Sequence, residues 1–196
     1  MRIDISPHIP ADIDKTELII VGEAPGKNEV LLGLPFVGAS GKFLRKAIAE
    51  TGFVFEDAYI TNVFWERPPD NQVSHFFCSK MAAKLKGIET CENNTDIYPF
   101  KNAYLKKEYE ECYYRLGKEI EEVEPDVILA VGATPTWALT GQSKISECRG
   151  VPVNCTIPGC EGYMVIPTFH PAGVMRRRDW TKDFKFDIAN AIECAS

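Results

Sequence analysis

The sequence predicts an α/β domain in which helices flank a mainly parallel central sheet. Short apolar runs alternate along the chain with helical stretches, and this alternation is typical of β-α-β units. Four runs have the length and composition of buried strands: Glu17–Val21, Ala58–Val63, Val127–Val131 and Tyr163–Thr168. Gly22 and Gly132 end the first and third of these runs. We therefore expect one sheet that is buried between helices.

Amphipathic stretches between the runs predict the helices. A long charged helix is expected over Ala103–Val123, and a closing helix over Asp179–Ala195. Ser40 is a candidate N-cap for a shorter helix. Four residues of that helix share one apolar face, namely Phe43, Leu44, Ala47 and Ile48.

Residues 73–102 interrupt the alternation. They contain a helical pattern at His75–Lys86 and then a polar stretch that reads CENNTDIYPF. We interpret them as an insertion at the surface of a single domain that spans residues 1–196. Such an insertion is a candidate contact surface for a protein partner.

Length, charge and cysteine content limit the classes of protein. A chain of 196 residues fits one domain with one buried core. The net charge of −6 argues against DNA binding by bulk electrostatics, although Arg176–Arg178 form a local basic cluster. The longest apolar runs are only strand-length, and the N-terminus lacks an apolar signal core. We expect an intracellular monomer that does not enter a membrane and whose seven cysteines are reduced thiols.

Three residues of chemical interest follow predicted strands. Gly22, Asn62 and His170 all lie at or just beyond the carboxyl end of a strand. In open α/β sheets, ligands bind outside these carboxyl ends. The sequence therefore predicts one shared site at this edge of the sheet.

The first of these strand ends opens a long glycine-rich loop. The stretch from Gly22 to Leu44 reads GEAPGKNEVLLGLPFVGASGKFL. Its backbone amides and the carboxylate of Glu23 can face a ligand, and Phe36 is suited to stack on a flat ligand such as a nucleobase. The glycine spacing differs from the GxGxxG dinucleotide fingerprint.

This loop resembles the first motif of the uracil-DNA glycosylase superfamily, most closely that of its family-4 branch from bacteria and archaea. Ser40 is the one departure, where alanine is usual. The matching positions are Gly22–Gly26, Glu29, Gly33, Pro35–Gly38 and Gly41.

Two further segments are similar to later motifs of the same family, in the family's order. Tyr59–Val63, followed by Arg67–Asn71, is similar to its T-N-V and R-P-P-x-N segment. Ile166–Arg177 is similar to its closing motif, an H-P turn followed by a small wedge loop and arginine. Arg149 and Gly150 stand where the family has an R-G pair. The resemblance therefore covers most of the chain.

The resemblance implies a monofunctional DNA glycosylase. Such an enzyme hydrolyses the N-glycosidic bond of uracil, or of a 5-substituted uracil, in DNA and leaves an abasic site. It acts on a base that has been rotated out of the duplex. By resemblance, Phe36 stacks on this base, Asn62 reads its N3–H and O4, and His170 donates toward O2. Backbone amides of the loop from Gly22 to Gly26 complete the base-binding site.

The resemblance leaves two candidates for positioning the attacking water. Glu23 is the first choice, because its carboxylate also stabilises a cationic sugar, and Asn71 is the competing candidate. Gly26 lies where some members of the superfamily carry a tyrosine that excludes 5-substituted pyrimidines. The lack of a side chain at Gly26 favours a site that admits a larger C5 group.

The closing motif supplies the expected contacts to DNA. Val174 and Met175 follow the H-P turn and are expected to wedge into the gap that the flipped base leaves. Arg176 and Arg177 are then expected to meet the flanking phosphates.

The cysteines depart from the family-4 pattern. Family-4 enzymes generally hold an iron–sulfur cluster with four cysteines, two of them in a CxxC before the first strand. Here no cysteine precedes Cys78, Glu66 stands directly before the R-P-P segment, and only Cys112 matches a ligand. We therefore expect neither a cluster nor another metal or cofactor.

Two other functions remain open from the sequence. One is a non-catalytic DNA-binding or replication-accessory module on the same fold, and the acidic net charge favours it. The other is a hydrolase of free nucleosides. The combination of Glu23, Asn62 and His170 favours the glycosylase over the module, and the wedge loop favours polymeric DNA.

The purified protein should be colourless and should contain no stoichiometric iron or acid-labile sulfide, because only Cys112 occupies a cluster-ligand position. Iron and sulfide analysis, together with the visible absorption spectrum, measures this. Stoichiometric iron accompanied by sulfide would show that other side chains hold a cluster.

Overall fold

The structure, a computed structural model, describes residues 4–195. Its strands are β1 (Leu18–Gly22), β2 (Tyr59–Asn62), β3 (Phe77–Cys78), β4 (Tyr104–Leu105), β5 (Val127–Val131), β6 (Val153–Asn154) and β7 (Met164–Thr168). Five of them form the central sheet in the order β2-β1-β5-β7-β6. Only β6 runs antiparallel to its neighbour in this sheet. The mainly parallel sheet is confirmed, and each predicted strand lies within one residue of its predicted bounds.

Helices cover both faces of the sheet. They are α1 (Lys27–Leu32), α2 (Ala39–Ala49), α3 (Lys80–Lys86), α4 (Glu110–Val123), α5 (Ala133–Thr140), α6 (Ile145–Cys148), α7 (Pro171–Arg176) and α8 (Thr181–Cys194). Within residues 4–195, none of them is long and apolar enough to cross a bilayer.

Successive strand residues pack into two hydrophobic cores, one on each face. Ile19 and Val21 pack with residues of α4 and α5 in the first core. Leu18 and Ile20 pack with residues of α2, α7 and α8 in the second core. Every residue of β1 is buried, as expected for a parallel strand that is covered on both faces.

The closing helix, predicted from Asp179, begins at Thr181, and three other predicted helix starts are also wrong. The helix predicted from Ala103 begins at Glu110, because Tyr104–Leu105 pairs with Phe77–Cys78 as a two-stranded sheet. The helix predicted at His75–Lys86 begins at Lys80 for the same reason, with Ser79 as its N-cap. In α2, Gly38 rather than Ser40 occupies the N-cap. Local amphipathic pattern gives no sign of the long-range strand pairing that sets the starts at Glu110 and Lys80.

The segment 73–102 is anchored in the first core. Phe76, Phe77 and Phe100 are buried there. The ring of Phe76 stacks on Phe64 with centroids 3.8 Å apart, and Phe77 meets the edge of Trp137 at 5.0 Å. The predicted surface insertion therefore contributes an aromatic layer to the core, while other residues of it, including the apolar Met81 and Leu85, remain at the surface.

A crevice forms at the topological switch point of the sheet, between β1 and β5. β2 lies on one side of β1 and β5 lies on the other, so the loops that follow β1 and β5 diverge. Gly22 and Asn62 are register partners at the carboxyl end of the β1–β2 pair. This edge of the sheet carries the site described below.

A buried ion pair lies near the carboxyl end of β7. Arg149 donates to both oxygens of Asp187, from Nε at 2.9 Å and from Nη2 at 2.5 Å. Thr168 Oγ1 also donates to Asp187, at 2.9 Å. Burial raises the pKa of Asp187, and the bonds from Arg149 and Thr168 oppose that rise. The cluster ties α8 to the end of β7, next to His170.

Replacing Asp187 by alanine should lower the free energy of unfolding by about 3–5 kcal/mol, because it leaves a partly buried guanidinium and a buried hydroxyl without their partner. Asp183→Ala is the matched control, since Asp183 is exposed and lies 3.6 Å from Arg149. We expect it to cost less than about 1 kcal/mol. Urea denaturation measures both, and equal losses would contradict the account of the buried pair.

Candidate active site

A cleft of about 540 Å³ opens at the carboxyl edge of the central sheet. The loops that follow β1, β2 and β7 form its walls. Seven residues singled out in the sequence line it: Glu23, Gly26, Phe36, Asn62, Asn71, His170 and Arg176. The structure therefore brings Asn62 and His170, which the strand-end argument expected at one site, together with five other residues that the sequence analysis singled out.

Phe36 and Asn62 both lie against Gly22 at the cleft. A Cβ at Gly22 would lie 2.7 Å from Phe36 Cζ and would collide with Asn62 Oδ1. Phe36 itself has a φ of +53°, a strained conformation for a bulky residue. Arg45 Nε donates to the Phe36 carbonyl at 3.3 Å, and Gly41 leaves room for that backbone. The aromatic ring is thus fixed at the cleft by contacts that sequence analysis did not assign.

Glu29 holds the loop that carries Phe36. Its Oε1 accepts the N–H groups of Val37 at 3.0 Å and Gly38 at 2.7 Å. A Cβ at Gly26 would lie 2.7 Å from Glu29 Oε2. Gly26 therefore packs against this carboxylate, and both residues line the cleft. The family motif had marked Glu29 without giving it a role.

Glu23 is held from the far side of the crevice. Thr134 Oγ1, at the start of α5, donates to Glu23 Oε2 at 2.5 Å. Thr134 is fully buried, whereas Glu23 is half-buried and faces the cleft. Sequence analysis missed Thr134, because it lies inside a short apolar helix with no pattern that marks it.

His170 has the hydrogen-bonding pattern of a neutral imidazole. Its Nδ1 accepts the N–H of Ala172 at 3.2 Å, so the proton of the neutral ring resides on Nε2. Burial lowers the pKa of His170 below its usual value, the positive charge of Arg176 lowers it further, and Glu23 opposes both. Gly132 packs closely against the ring, since a Cβ there would lie 3.1 Å from His170 Cβ.

Asn71 lies at the mouth of the cleft. Its Oδ1 accepts a hydrogen bond from Arg67 Nε at 2.8 Å. Asp70 and Asn71 both have positive φ, at +52° and +55°, which turns the chain back toward the cleft. The amide oxygen of Asn71 is therefore already engaged, whereas the carboxylate of Glu23 lies deeper.

Of the two residues predicted to wedge into the DNA, Val174 is not placed to do so. Val174 is fully buried in the second core, because the helical turn of α7 points it inward. Its neighbour Met175 is 43% exposed. Arg176 lines the cleft, and the guanidinium of Arg177 lies 4.2 Å from the ring centroid of Trp180. Of the two expected wedge residues, only Met175 is available at the surface.

The cysteines do not fit a four-thiolate cluster. Among residues 4–195, no group of three or more His, Cys, Asp or Glu side chains is placed to hold a metal ion. Cys112 is buried in α4, away from any second cysteine of that helix. Burial raises the pKa of Cys91 and of Cys155 to about 11, which keeps these thiols protonated.

An aromatic ring, an amide and a neutral imidazole line one cleft, and such groups are suited to a planar heterocycle. The family model of the uracil DNA glycosylase superfamily matches residues 10–192. The chain therefore belongs to the uracil DNA glycosylase superfamily, as its motifs had predicted.

Curated relatives agree with this assignment. The chain is 33% identical over 165 residues to the type-4 uracil-DNA glycosylase of Thermotoga maritima, which covers 83% of this chain and 68% of the relative. It is 31% identical over 180 residues to that of Archaeoglobus fulgidus, covering 89% of this chain and 75% of the relative. The type-4 uracil-DNA glycosylase of Pyrobaculum aerophilum is 30% identical over 180 residues, with 89% and 76% coverage.

The imidazole of His170 should stay neutral at pH 6.5, where an ordinary histidine is half charged. Nitrogen-15 NMR of the ring should show a protonated Nε2 and an unprotonated Nδ1. Since the unfolded ring takes up its proton first, His170 should also lower stability as the pH falls through 6.5. Glu23→Gln should depress the pKa further, and a half-protonated ring at pH 6.5 would refute this description.

Proposed function

We propose that the chain is a monofunctional DNA glycosylase that hydrolyses the N-glycosidic bond of uracil in DNA and leaves an abasic site. The observation that carries the proposal is a neutral His170, with Nε2–H as donor, in the cleft that also contains Phe36 and Asn62. The names of the three relatives support the choice of uracil.

Base recognition follows from the groups in the cleft. The flipped base stacks on Phe36, and the few kcal/mol needed to unstack it are offset by contacts in the cleft. Asn62 accepts from uracil N3–H with Oδ1 and donates to O4 with its amino group. Cytosine presents the opposite pattern at these positions, so it would leave buried groups unpaired. Mismatches of this kind discriminate by about 10⁴-fold.

His170 acts where charge develops. As the bond between the sugar and N1 breaks, its electron pair moves onto the base, and negative charge builds on O2. A preorganised donor such as Nε2–H of His170 stabilises that transition state by about 3–4 kcal/mol. A neutral ring performs this function without a change of protonation, because it donates a hydrogen bond and keeps its proton.

Glu23 is the better-supported candidate for positioning the water. Its carboxylate is oriented by Thr134 and interacts electrostatically with His170. There it accepts a proton from the water whose oxygen bonds to the sugar carbon, and its charge stabilises the cationic sugar. The amide oxygen of Asn71 is bonded to Arg67, which favours a role at the cleft mouth.

The surface beside the cleft is suited to the flanking DNA. Met175 is the exposed apolar side chain that fills the gap left by the flipped base. Arg176 and Arg177 supply positive charge for the phosphates. This local charge would compensate for the acidic total of the chain.

We further propose that the site admits a substituent at C5 of uracil, because Gly26, which lines the cleft, has no side chain of its own. 5-Hydroxymethyluracil in DNA is the direct test of this finer point. Release of uracil but not of the 5-substituted base would limit the enzyme to uracil itself.

Oligonucleotides that carry uracil, 5-hydroxymethyluracil, cytosine or thymine test the activity. We expect base release from uracil DNA, with strand breakage only after alkali. His170→Ala should lower the single-turnover rate by about 10²–10³-fold while DNA binding persists. His8→Ala is the matched control, because that ring bonds the Glu56 carbonyl and lies outside the residues lining the cleft.

Binding to DNA without release of any base from the panel would contradict the proposal. That result would favour the non-catalytic DNA-binding module instead. Release from free deoxyuridine at the rate seen for an oligonucleotide would favour a nucleoside hydrolase.

A further inference from the structure

One side chain from α4 holds the carboxyl end of β2 from outside the cleft. Arg115 Nη2 donates to the carbonyl of Asn62 at 2.5 Å and to that of Val63 at 3.0 Å. Its Nη1 donates to Thr61 Oγ1 at 3.1 Å. A single guanidinium therefore bonds three consecutive residues around the proposed base reader.

Within residues 4–195, the outer edge of β2 has no neighbouring strand in the central sheet. β2 is the edge strand, and only its inner side pairs with β1. The N-terminal segment covers the outer edge at Ile60, through His8, and at Trp65, through Ile5 N–H. Arg115 bonds the residues between those two points. It thus replaces a missing strand at the place where Asn62 leaves the sheet.

The guanidinium is itself held in place. Glu119, one turn further along α4, forms an ion pair with it, and the side chains are only 18% and 11% exposed. The ring centroid of Trp65 lies 5.4 Å from the guanidinium carbon. Within the described part of the chain, Arg115 Nε is buried without a hydrogen-bond partner. Such a group is unfavourable for stability and calls for an explanation.

We infer that Arg115 is a positioning residue for Asn62, an inference that rests on the proposed function. The Asn62 side chain and the Phe36 ring both lie against Gly22, so a shift of the Asn62 backbone moves the amide relative to the aromatic ring. Arg115 fixes that backbone through two carbonyls. It thereby keeps the amide in the one orientation that matches uracil, and it contributes to both rate and base selectivity.

A double-mutant cycle tests this inference. Arg115→Met should lower the single-turnover rate on uracil DNA by about 10- to 100-fold. Arg115→Lys should recover part of the rate, because the ammonium can reach at least one carbonyl. Thr61→Val is the matched control: it removes one contact of the guanidinium but leaves the Asn62 carbonyl bonded.

The decisive comparison uses Asn62→Ala as background. If Arg115 acts through Asn62, Arg115→Met should cause almost no further loss in that background. A loss of the same factor in both backgrounds would assign Arg115 to general structure and overturn the inference. Thermal melting of each variant shows whether the measured chain is folded. If Arg115→Met does not fold, the comparison is made with Arg115→Lys instead.

A second measurement does not depend on activity. The side-chain amide signal of Asn62 in a nitrogen-15 spectrum can be assigned by its absence in Asn62→Ala. It should broaden or split in Arg115→Met and stay single in Thr61→Val. An unchanged signal would overturn the inference even if the parental protein releases uracil. Conversely, a chain that releases no base refutes the proposed function and leaves this readout intact.

Discussion

The packing of Phe36 and Asn62 against Gly22 is the constraint on which the rest of the site depends. It requires a strand that ends without a side chain, and it requires the β1–β2 register that sets Gly22 beside Asn62. Around it, the fold adds a strained φ at Phe36 and the clamp of Glu29 on the loop. Strain of this kind persists only where surrounding contacts over-determine the conformation. The site is therefore assembled by the sheet and its loops before any ligand arrives.

Electrostatic balance is the second requirement of the site. Burial and the charge of Arg176 lower the pKa of His170 and favour its neutral form, whereas the charge of Glu23 raises this pKa. Glu23 is in turn oriented by Thr134 from across the crevice. Two groups of opposite chemical character, a neutral donor and a carboxylate, can then act on the two sides of one breaking bond.

Sequence reasoning found the parts of the site that carry local signals. Apolar runs marked the strands, and the position of Asn62 and His170 at strand ends marked the cleft. Sequence reasoning missed Thr134, because its partner Glu23 lies 111 positions away along the chain. It also missed Arg115, which bonds residues that lie 52 to 54 positions away. The β3–β4 pairing escaped it for the same reason, since that contact is not local. Val174 was misplaced because the phase of a short helix decides which of two neighbours faces the solvent.

The substitution Asn62→Asp tests the central claim most directly, because it changes the hydrogen-bond pattern of the base reader and little else. The account predicts a large fall in uracil release, since the donor to O4 is lost, and weak release of cytosine, whose amino group gains an acceptor. Asn71→Asp makes the same chemical change at the cleft mouth and should leave base selectivity unchanged. Single-turnover rates on uracil and cytosine DNA measure both variants. Uracil release by Asn62→Asp at the parental rate would contradict the account.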